Sequence, residues 1–160
     1  MSTRDRVHSE PPNLGILLRR PFQAITAAVD ERLTAADHAA IRPAHGAVFQ
    51  FIDAEGTRVS VLAERAQVTK QSMAELVSHL EVHGYVERVP DPADRRAKLV
   101  RLTDQGWDVI PVALSAITDL TAHWRSQLGD AAFDSLYAEL ARLNKLLDQP
   151  ATVILQPSDP

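Results

Sequence analysis

The chain of 160 residues carries 17 Lys and Arg against 21 Asp and Glu, a net charge of −4, and 45% of its residues are hydrophobic. This length and balance fit one globular domain or two small ones, and they exclude a disordered or collagen-like chain. There is no cysteine, which excludes disulfides and thiol chemistry, and no apolar run of membrane-spanning length, so we expect a cytoplasmic protein.

Both ends of the chain are predicted to be flexible, and a long helix follows the first of them. Residues 1–12 are polar with no apolar period, and residues 149–160 contain three prolines. Apolar residues at steps of three and four predict a helix over residues 14–33. This stripe holds Leu14, Leu17, Leu18, Phe22, Ile25, Val29 and Leu33. Pro21 lies inside the stripe and predicts either a kink or a helix that begins near it.

Two short helices are predicted next. Pro43 suits a first helical position and Gly56 suits a stop, which predicts a helix over residues 43–54. Ser60 is predicted to cap the helix after it, because its hydroxyl can accept a hydrogen bond from the first turn.

A capped helix and a β-hairpin follow. Thr69 is the predicted N-cap of a helix over residues 70–83, which ends at Gly84. Strands over residues 85–89 and 98–102 flank a turn rich in proline and aspartate, which predicts a hairpin with an exposed tip. Two helices joined by a short turn and followed by a hairpin form a winged helix-turn-helix. The predicted fold is therefore mostly α with a small β-hairpin wing.

The helix over residues 70–83 has two distinct faces when successive residues are placed 100° apart. The face predicted to be buried holds Met73, Leu76, Val77 and Leu80. The opposite face is small and polar and holds Gln71, Glu75, Ser78 and Val82. The first turn offers amides, hydroxyls and one ammonium to a phosphate, through Thr69, Lys70, Gln71 and Ser72. In a major groove, Gln71 can bond adenine and Glu75 can accept from cytosine N4.

The tip of the predicted hairpin concentrates positive charge. Arg95, Arg96 and Lys98 lie there, and arginines at such a tip suit the narrow minor groove. Asp94 is predicted to hold one of these arginines in position. Residues 57–101 carry a net charge of +2 and the rest of the chain −6, so the overall negative charge does not exclude DNA. Helix-turn-helix folds also serve as protein-interaction modules, and this alternative stays open.

Residues 56–106 resemble the winged helix-turn-helix of the MarR family of bacterial transcription regulators. The family's wing motif, an Asp with an Arg two residues later and then Leu-Thr-x-x-Gly, falls on Asp94, Arg96, Leu102, Thr103 and Gly106. The family's pattern L-x-x-x-G-x-V-x-R falls on Leu80, Gly84, Val86 and Arg88. The resemblance implies a regulator that binds double-stranded DNA, with repression as the commoner mode of the family.

Carried over residue by residue, the resemblance implies a DNA-binding site on the helix and the wing. The implied groove contacts come from Gln71, Ser72, Glu75, Ser78 and His79. The implied phosphate contacts come from Thr69 and Lys70, and Arg96, with Arg95 as its neighbour, enters the minor groove. Since the outward face carries Glu75 and no arginine, we expect the wing over residues 90–98 to supply much of the affinity.

The flanking helices are predicted to form a homodimer. The resemblance places a helical dimerisation domain at residues 13–35 and 103–148, around a DNA-binding domain at residues 40–102. One C-terminal stripe holds Trp107, Ile110, Leu114, Ile117, Leu120, Trp124 and Leu128, and a last helix capped by Asp130 holds Phe133, Leu136, Tyr137, Leu140, Leu143 and Leu147. These stripes are more apolar than one winged domain can cover, which predicts an isologous interface and a pseudo-palindromic DNA site. A monomer with a helical cap is the alternative.

The resemblance also implies a regulatory pocket for a small aromatic or phenolic ligand. The candidate lining residues are Phe22, His45, Phe49 and Trp107, and plain core positions are the alternative. His79 and His83 are four apart on a helix, a spacing that suits zinc, but a third ligand is not evident. No nucleophile elbow, phosphate-binding glycine loop or HExxH motif occurs, so we expect neither catalysis nor a cofactor nor a bound metal.

Overall fold

A computed structural model describes residues 12–94 and 96–147 of the chain. The predicted tail, the wing residue Arg95 and all of the predicted N-terminal arm except Pro12 lie outside these residues. In chain order the elements are α1 (Leu14–Ala35), a 3-10 turn (Pro43–His45), α2 (Gly46–Phe51), α3 (Val59–Arg65), α4 (Lys70–Val82), β1 (Val86–Pro90), β2 (Lys98–Leu102), α5 (Asp104–Leu128) and α6 (Asp130–Leu147). The predicted fold class, mostly α with a two-stranded wing, is confirmed.

Helix α1 begins earlier than one of the two sequence interpretations has it. The side chain of Asn13 caps the helix by accepting a hydrogen bond from the backbone N–H of Ile16 at 3.1 Å. From this cap the helix runs through Pro21 to Ala35. The alternative in which the helix begins near Pro21 is therefore wrong, because a proline in the interior removes only one helical hydrogen bond and the helix continues on both sides of it.

The hydrophobic core lies beneath α4. Met73, Val77 and Leu80 on its inner face are fully buried, together with Val48 from α2 and Leu62 from α3. The predicted burial of this face is confirmed. Burying each large aliphatic side chain contributes about 1.5–3 kcal/mol to the free energy of unfolding, so this face holds α4 firmly against α2 and α3.

The wing is attached, at the middle of β2, to the chain that precedes α3. Strands β1 and β2 pair antiparallel from Val86 opposite Leu102 to Pro90 opposite Lys98. Thr57, just before α3, exchanges two backbone hydrogen bonds of 2.9 Å with Val100 of β2. The hairpin is therefore hydrogen-bonded to the segment that leads into α3.

Two predicted caps and one predicted boundary are wrong. Helix α3 begins at Val59, after the extended backbone of Arg58, so Ser60 is already inside the helix and cannot cap it. Asp130 is likewise the first residue of α6, not the residue before it. The helix predicted over residues 43–54 is a 3-10 turn followed by α2, which ends at Phe51 because Ile52 is extended at φ −79° and ψ 130°.

The chain divides into two compact units, one up to Thr118 and one from Asp119, and α5 contributes to both. In the second unit, the Arg125 guanidinium lies 4.6 Å from the centre of the Phe133 ring and pairs with Asp134 at 2.7 Å. Within the described parts of the chain, no helix combines the length and the apolar character that crossing a bilayer requires.

Candidate nucleic-acid interface

Helix α4 begins at the predicted cap. The Thr69 hydroxyl accepts a hydrogen bond from the backbone N–H of Ser72 at 3.1 Å and lies 2.8 Å from the Ser72 hydroxyl. This cap satisfies one of the unpaired amides of the first turn and leaves Thr69, Lys70 and Ser72 exposed around the positive end of the helix. The first turn thus presents hydrogen-bond donors and a positive charge, to which a phosphate can bind.

The outward face of α4 is exposed and its side chains are already ordered. The Gln71 amide donates to the Glu75 carboxylate at 3.2 Å, one helical turn away. Ser78 is exposed as well, and Arg88 of β1 reaches its hydroxyl at 3.4 Å while pairing with Glu81 at 2.9 Å. Gln71, Glu75 and Ser78 therefore form one polar surface, with Arg88 linking it to the wing.

His79 lies elsewhere. Its ring is half-buried, its Nε2–H donates to the backbone oxygen of Ala40 at 2.9 Å, and it stacks on His45 at 4.7 Å with an interplanar angle of 17°. On its other side lies the ring of His83, at 4.3 Å. The ring of His79 thus takes part in tertiary packing, and the structure does not bring it into the polar surface of α4.

His45 is the buried end of this histidine stack. Its Nδ1 accepts a hydrogen bond from the backbone N–H of Arg42 at 2.9 Å, which requires a neutral ring. Burial, followed by the neighbouring basic groups His79, Arg42 and His83, lowers the pKa of the imidazole to about 4. The rings stack rather than converge, and among the described residues no group of three or more His, Asp or Glu is arranged to hold a metal ion.

The wing tip is built on hydrogen bonds to aspartates. The Asp94 carboxylate accepts from the backbone N–H of Arg96 at 3.0 Å, so Asp94 orders the backbone of this arginine and does not pair with its guanidinium. Arg96 and Lys98 are exposed, as the sequence predicts. Arg95 lies outside the part of the chain that the structure describes.

Asp91 corrects the expectation of a fully exposed tip. It is only 5% exposed, and its carboxylate is bound by Arg58, which sequence reasoning did not include among the site residues. Hydrogen bonding from the backbone N–H of Ala93, and then from Arg58, holds the pKa of the Asp91 carboxyl below its ordinary value. The Asp91-Pro92 sequence signals a turn, but no local pattern signals a partner 33 positions away.

The four candidate ligand-binding residues differ in burial, and only Trp107 among them lines the described cleft. Phe22 is 65% exposed and Trp107 is 46% exposed, whereas His45 is buried and Phe49 packs against the core. A shallow cleft of about 430 Å³ includes Trp107, and its other lining residues are Glu87, Arg101, Leu102, Thr103 and Asp104. The packing of His45 and Phe49 therefore matches the plain-core alternative.

The module and its wing match known proteins. A family model described as the MarR family matches residues 41–97. The chain is 33% identical over 106 residues to the transcriptional activatory protein BadR of Rhodopseudomonas palustris. This alignment covers 64% of this chain and 58% of BadR. It is 33% identical over 73 residues to the transcriptional regulator HosA of Escherichia coli, covering 46% of this chain and 54% of HosA. The match thus spans little more than half the length of either relative.

The solved structure of apo MarR from E. coli extends the comparison beyond the module. It superimposes with a TM-score of 0.69 at 25% identity and covers 84% of this chain and 98% of that chain. The two motifs in the wing and at the end of α4, the winged fold and these matches agree with one another: residues 41–97 match the MarR family, and the chain shares the winged fold of MarR from E. coli.

Proposed function

We propose that the protein is a transcription regulator that binds double-stranded DNA through α4 and the wing. The observation that carries this proposal is one exposed surface with two parts. The first part is the polar face of α4 with Gln71, Glu75 and Ser78, and the second is the wing with Arg96 and Lys98. A helix of this kind fits a major groove, and an arginine at a wing tip fits the adjacent minor groove.

The predicted roles of the individual residues stay part of this proposal. Thr69 and Lys70 at the start of α4 bind phosphate, and Gln71 with Glu75 and Ser72 read base edges. The Gln71–Glu75 hydrogen bond holds both side chains in place before DNA arrives, which reduces the entropy lost on binding. His79 supports α4 from behind through Ala40 rather than contacting bases.

The proposed regulator is a homodimer. Large apolar side chains of α1 are exposed in the single chain, with Leu14 at 64% and Phe22 at 65%, and in the second unit Tyr137 is 70% and Leu147 is 63% exposed. Exposed apolar faces of this size mark association sites, which supports the dimer over a monomer with a helical cap. A two-fold axis then predicts two half-sites about one DNA turn, roughly 10 base pairs, apart. Sedimentation equilibrium tests the dimer, and a mass equal to one chain at micromolar concentration would refute it.

The proposal includes repression that a small aromatic ligand relieves. Repression and ligand release come from the family resemblance, and the relative BadR is itself named an activatory protein. A reporter placed behind the selected operator distinguishes the two directions: lower expression with the protein present supports repression. A thermal-shift screen of aromatic carboxylic acids and phenols tests the ligand, and unchanged melting temperatures across the set would remove it from the proposal.

The decisive experiment is selection from a library of random duplexes followed by a binding titration. We expect the protein to enrich a pseudo-palindrome and to bind it at least about a thousandfold more tightly than a scrambled duplex at the same salt concentration. Enrichment of no sequence, with equal affinity for both duplexes, would favour the protein-interaction module instead.

A further inference from the structure

The wing tip contains a buried carboxylate that is not among the proposed DNA contacts. Asp91 directly follows β1, between exposed neighbours, yet its side chain is only 7% exposed. Its Oδ1 accepts from the backbone N–H of Ala93 at 2.8 Å, and its own backbone N–H donates to Ala97 at 3.1 Å. Asp91 is thus the residue on which the turn of the wing is built.

The second carboxylate oxygen leaves the wing and binds the helix-turn-helix. Arg58 places its Nε at 2.7 Å and its Nη2 at 2.5 Å from the Asp91 Oδ2. Arg58 is held in turn by its backbone, because its carbonyl oxygen accepts from the N–H groups of Val61 and Leu62 in the first turn of α3. The ion pair therefore joins a fixed point on α3 to the tip of the hairpin.

Two attachments to the rest of the domain fix the direction of the wing, which a single attachment would leave free to vary. The middle of the wing, where Val100 pairs with Arg88, is joined to the chain before α3 by the Thr57–Val100 hydrogen bonds. The Arg58–Asp91 pair makes a second attachment near the tip, roughly 10 Å farther along the hairpin at the usual rise of a strand. A hairpin held at both places cannot swing about its base.

Two consecutive hydrogen bonds connect Asp91 to Arg96, so the position of Asp91 determines that of the Arg96 backbone. The backbone oxygen of Asp91 accepts from the N–H of Asp94 at 3.2 Å, and the Asp94 carboxylate accepts from the N–H of Arg96 at 3.0 Å. We propose that Arg58 and Asp91 are positioning residues for DNA binding, and that their ion pair aims Arg96 at the minor groove. This inference rests on the proposed function.

Asp91→Asn is the informative substitution because geometry and electrostatics predict opposite results for it. The variant removes one negative charge from the wing, so charge alone predicts tighter binding to DNA. If the ion pair positions Arg96, the variant binds more weakly, because its neutral amide group cannot form the ion pair with Arg58. Glu87→Gln is the matched control: it removes one negative charge from an exposed pair with Arg101 on the same hairpin, away from the tip.

The test is a double-mutant cycle on the duplex that the parent selects, at fixed salt. We expect Arg96→Ala to weaken binding about tenfold or more and Asp91→Asn about fivefold, with Glu87→Gln equal to or slightly tighter than the parent. In the cycle, Asp91→Asn made together with Arg96→Ala should bind no more weakly than Arg96→Ala alone. Additive losses, or an Asp91→Asn variant that binds like Glu87→Gln, would overturn the proposal.

A measurement without DNA separates this inference from the proposed function. Hydrogen exchange of the Asp94 and Ala97 amides should accelerate in Asp91→Asn and stay at the parent rate in Glu87→Gln. If Asp91→Asn does not fold, Arg58→Lys serves in its place, because it keeps the charge but loses one of the two nitrogens, and it should give the same changes more weakly. If the parent selects no duplex, the proposed function fails and the positioning role falls with it. Unchanged exchange in Asp91→Asn, or in Arg58→Lys where that variant replaces it, refutes the two-point attachment even when DNA binding is intact.

Discussion

The buried imidazole of His45 makes the stability of the fold depend on pH in a defined window. In the folded chain the ring is neutral, because it accepts a hydrogen bond from Arg42 and is 3% exposed. Burial and, to a smaller extent, the neighbouring basic groups His79, Arg42 and His83 lower its pKa from the ordinary 6.5 to about 4. Between these two values the unfolded chain binds a proton that the folded chain does not bind, so the free energy of unfolding rises with pH.

The magnitude follows from the two pKa values. Each unit of difference corresponds to about 1.4 kcal/mol, so the gap between 6.5 and about 4 is worth roughly 3 kcal/mol. This contribution is complete above pH 6.5, declines as the pH falls below that value, and is lost at about pH 4. For a small domain such a change is a large fraction of the total stability.

Urea unfolding at several pH values from 4.5 to 7, at one protein concentration, measures this dependence. His45→Asn removes the titration but keeps an oxygen that can accept from the Arg42 N–H. It should therefore be less stable than the parent at pH 7 and should lose less stability as the pH falls. His123→Asn, at an exposed position on α5, should follow the parent. Equal slopes for the parent and His45→Asn would refute the neutral buried ring.

Two further predictions concern local structure. In Gly106→Ala the new Cβ would overlap the backbone oxygen of Tyr85, so we expect the free energy of unfolding to fall by about 3 kcal/mol or more. Gly46→Ala is the control: nothing lies within 4 Å of its new Cβ, so it should be neutral or stabilise by about 0.5–1 kcal/mol. Similar melting temperatures for the two variants would contradict this prediction. Thr69→Ala should cost about 1 kcal/mol and accelerate hydrogen exchange of the Ser72 amide, while Thr69→Ser should restore both, and a Thr69→Ala variant that retains the parent rate would show that the cap is not needed.

Local patterns in the sequence were enough to predict helix α4. The Thr69 cap and the inner face with Met73, Val77 and Leu80 are where the sequence predicts them. A cap and a helical period depend on residues within one or two turns, so a single sequence contains all the information they need. Ser60 shows the limit of this approach: a capping residue type occurs there, but the chain turns into a helix one residue earlier.

The tertiary contacts that hold α4 and the wing in place join residues distant in sequence, so local patterns could not predict them. Arg58 meets Asp91 from 33 positions away, and His45 meets His79 from another helix. Nothing in the local pattern around Asp91 distinguishes a buried, paired carboxylate from an exposed turn residue. The tertiary contact of His79 could not be predicted for the same reason, since its partner Ala40 precedes it by 39 positions.

Chemical protection of the bound operator with dimethyl sulfate tests the central claim most directly, because the reagent methylates guanine N7 in the major groove and adenine N3 in the minor groove. We expect the protein to protect guanine N7 within each half-site, where α4 lies, and adenine N3 at the flanks, where Arg96 of the wing lies. Arg96→Ala should lose the protection of adenine N3 and retain that of guanine N7. Protection in neither groove, or identical protection by the parent and Arg96→Ala, would contradict the proposed interface.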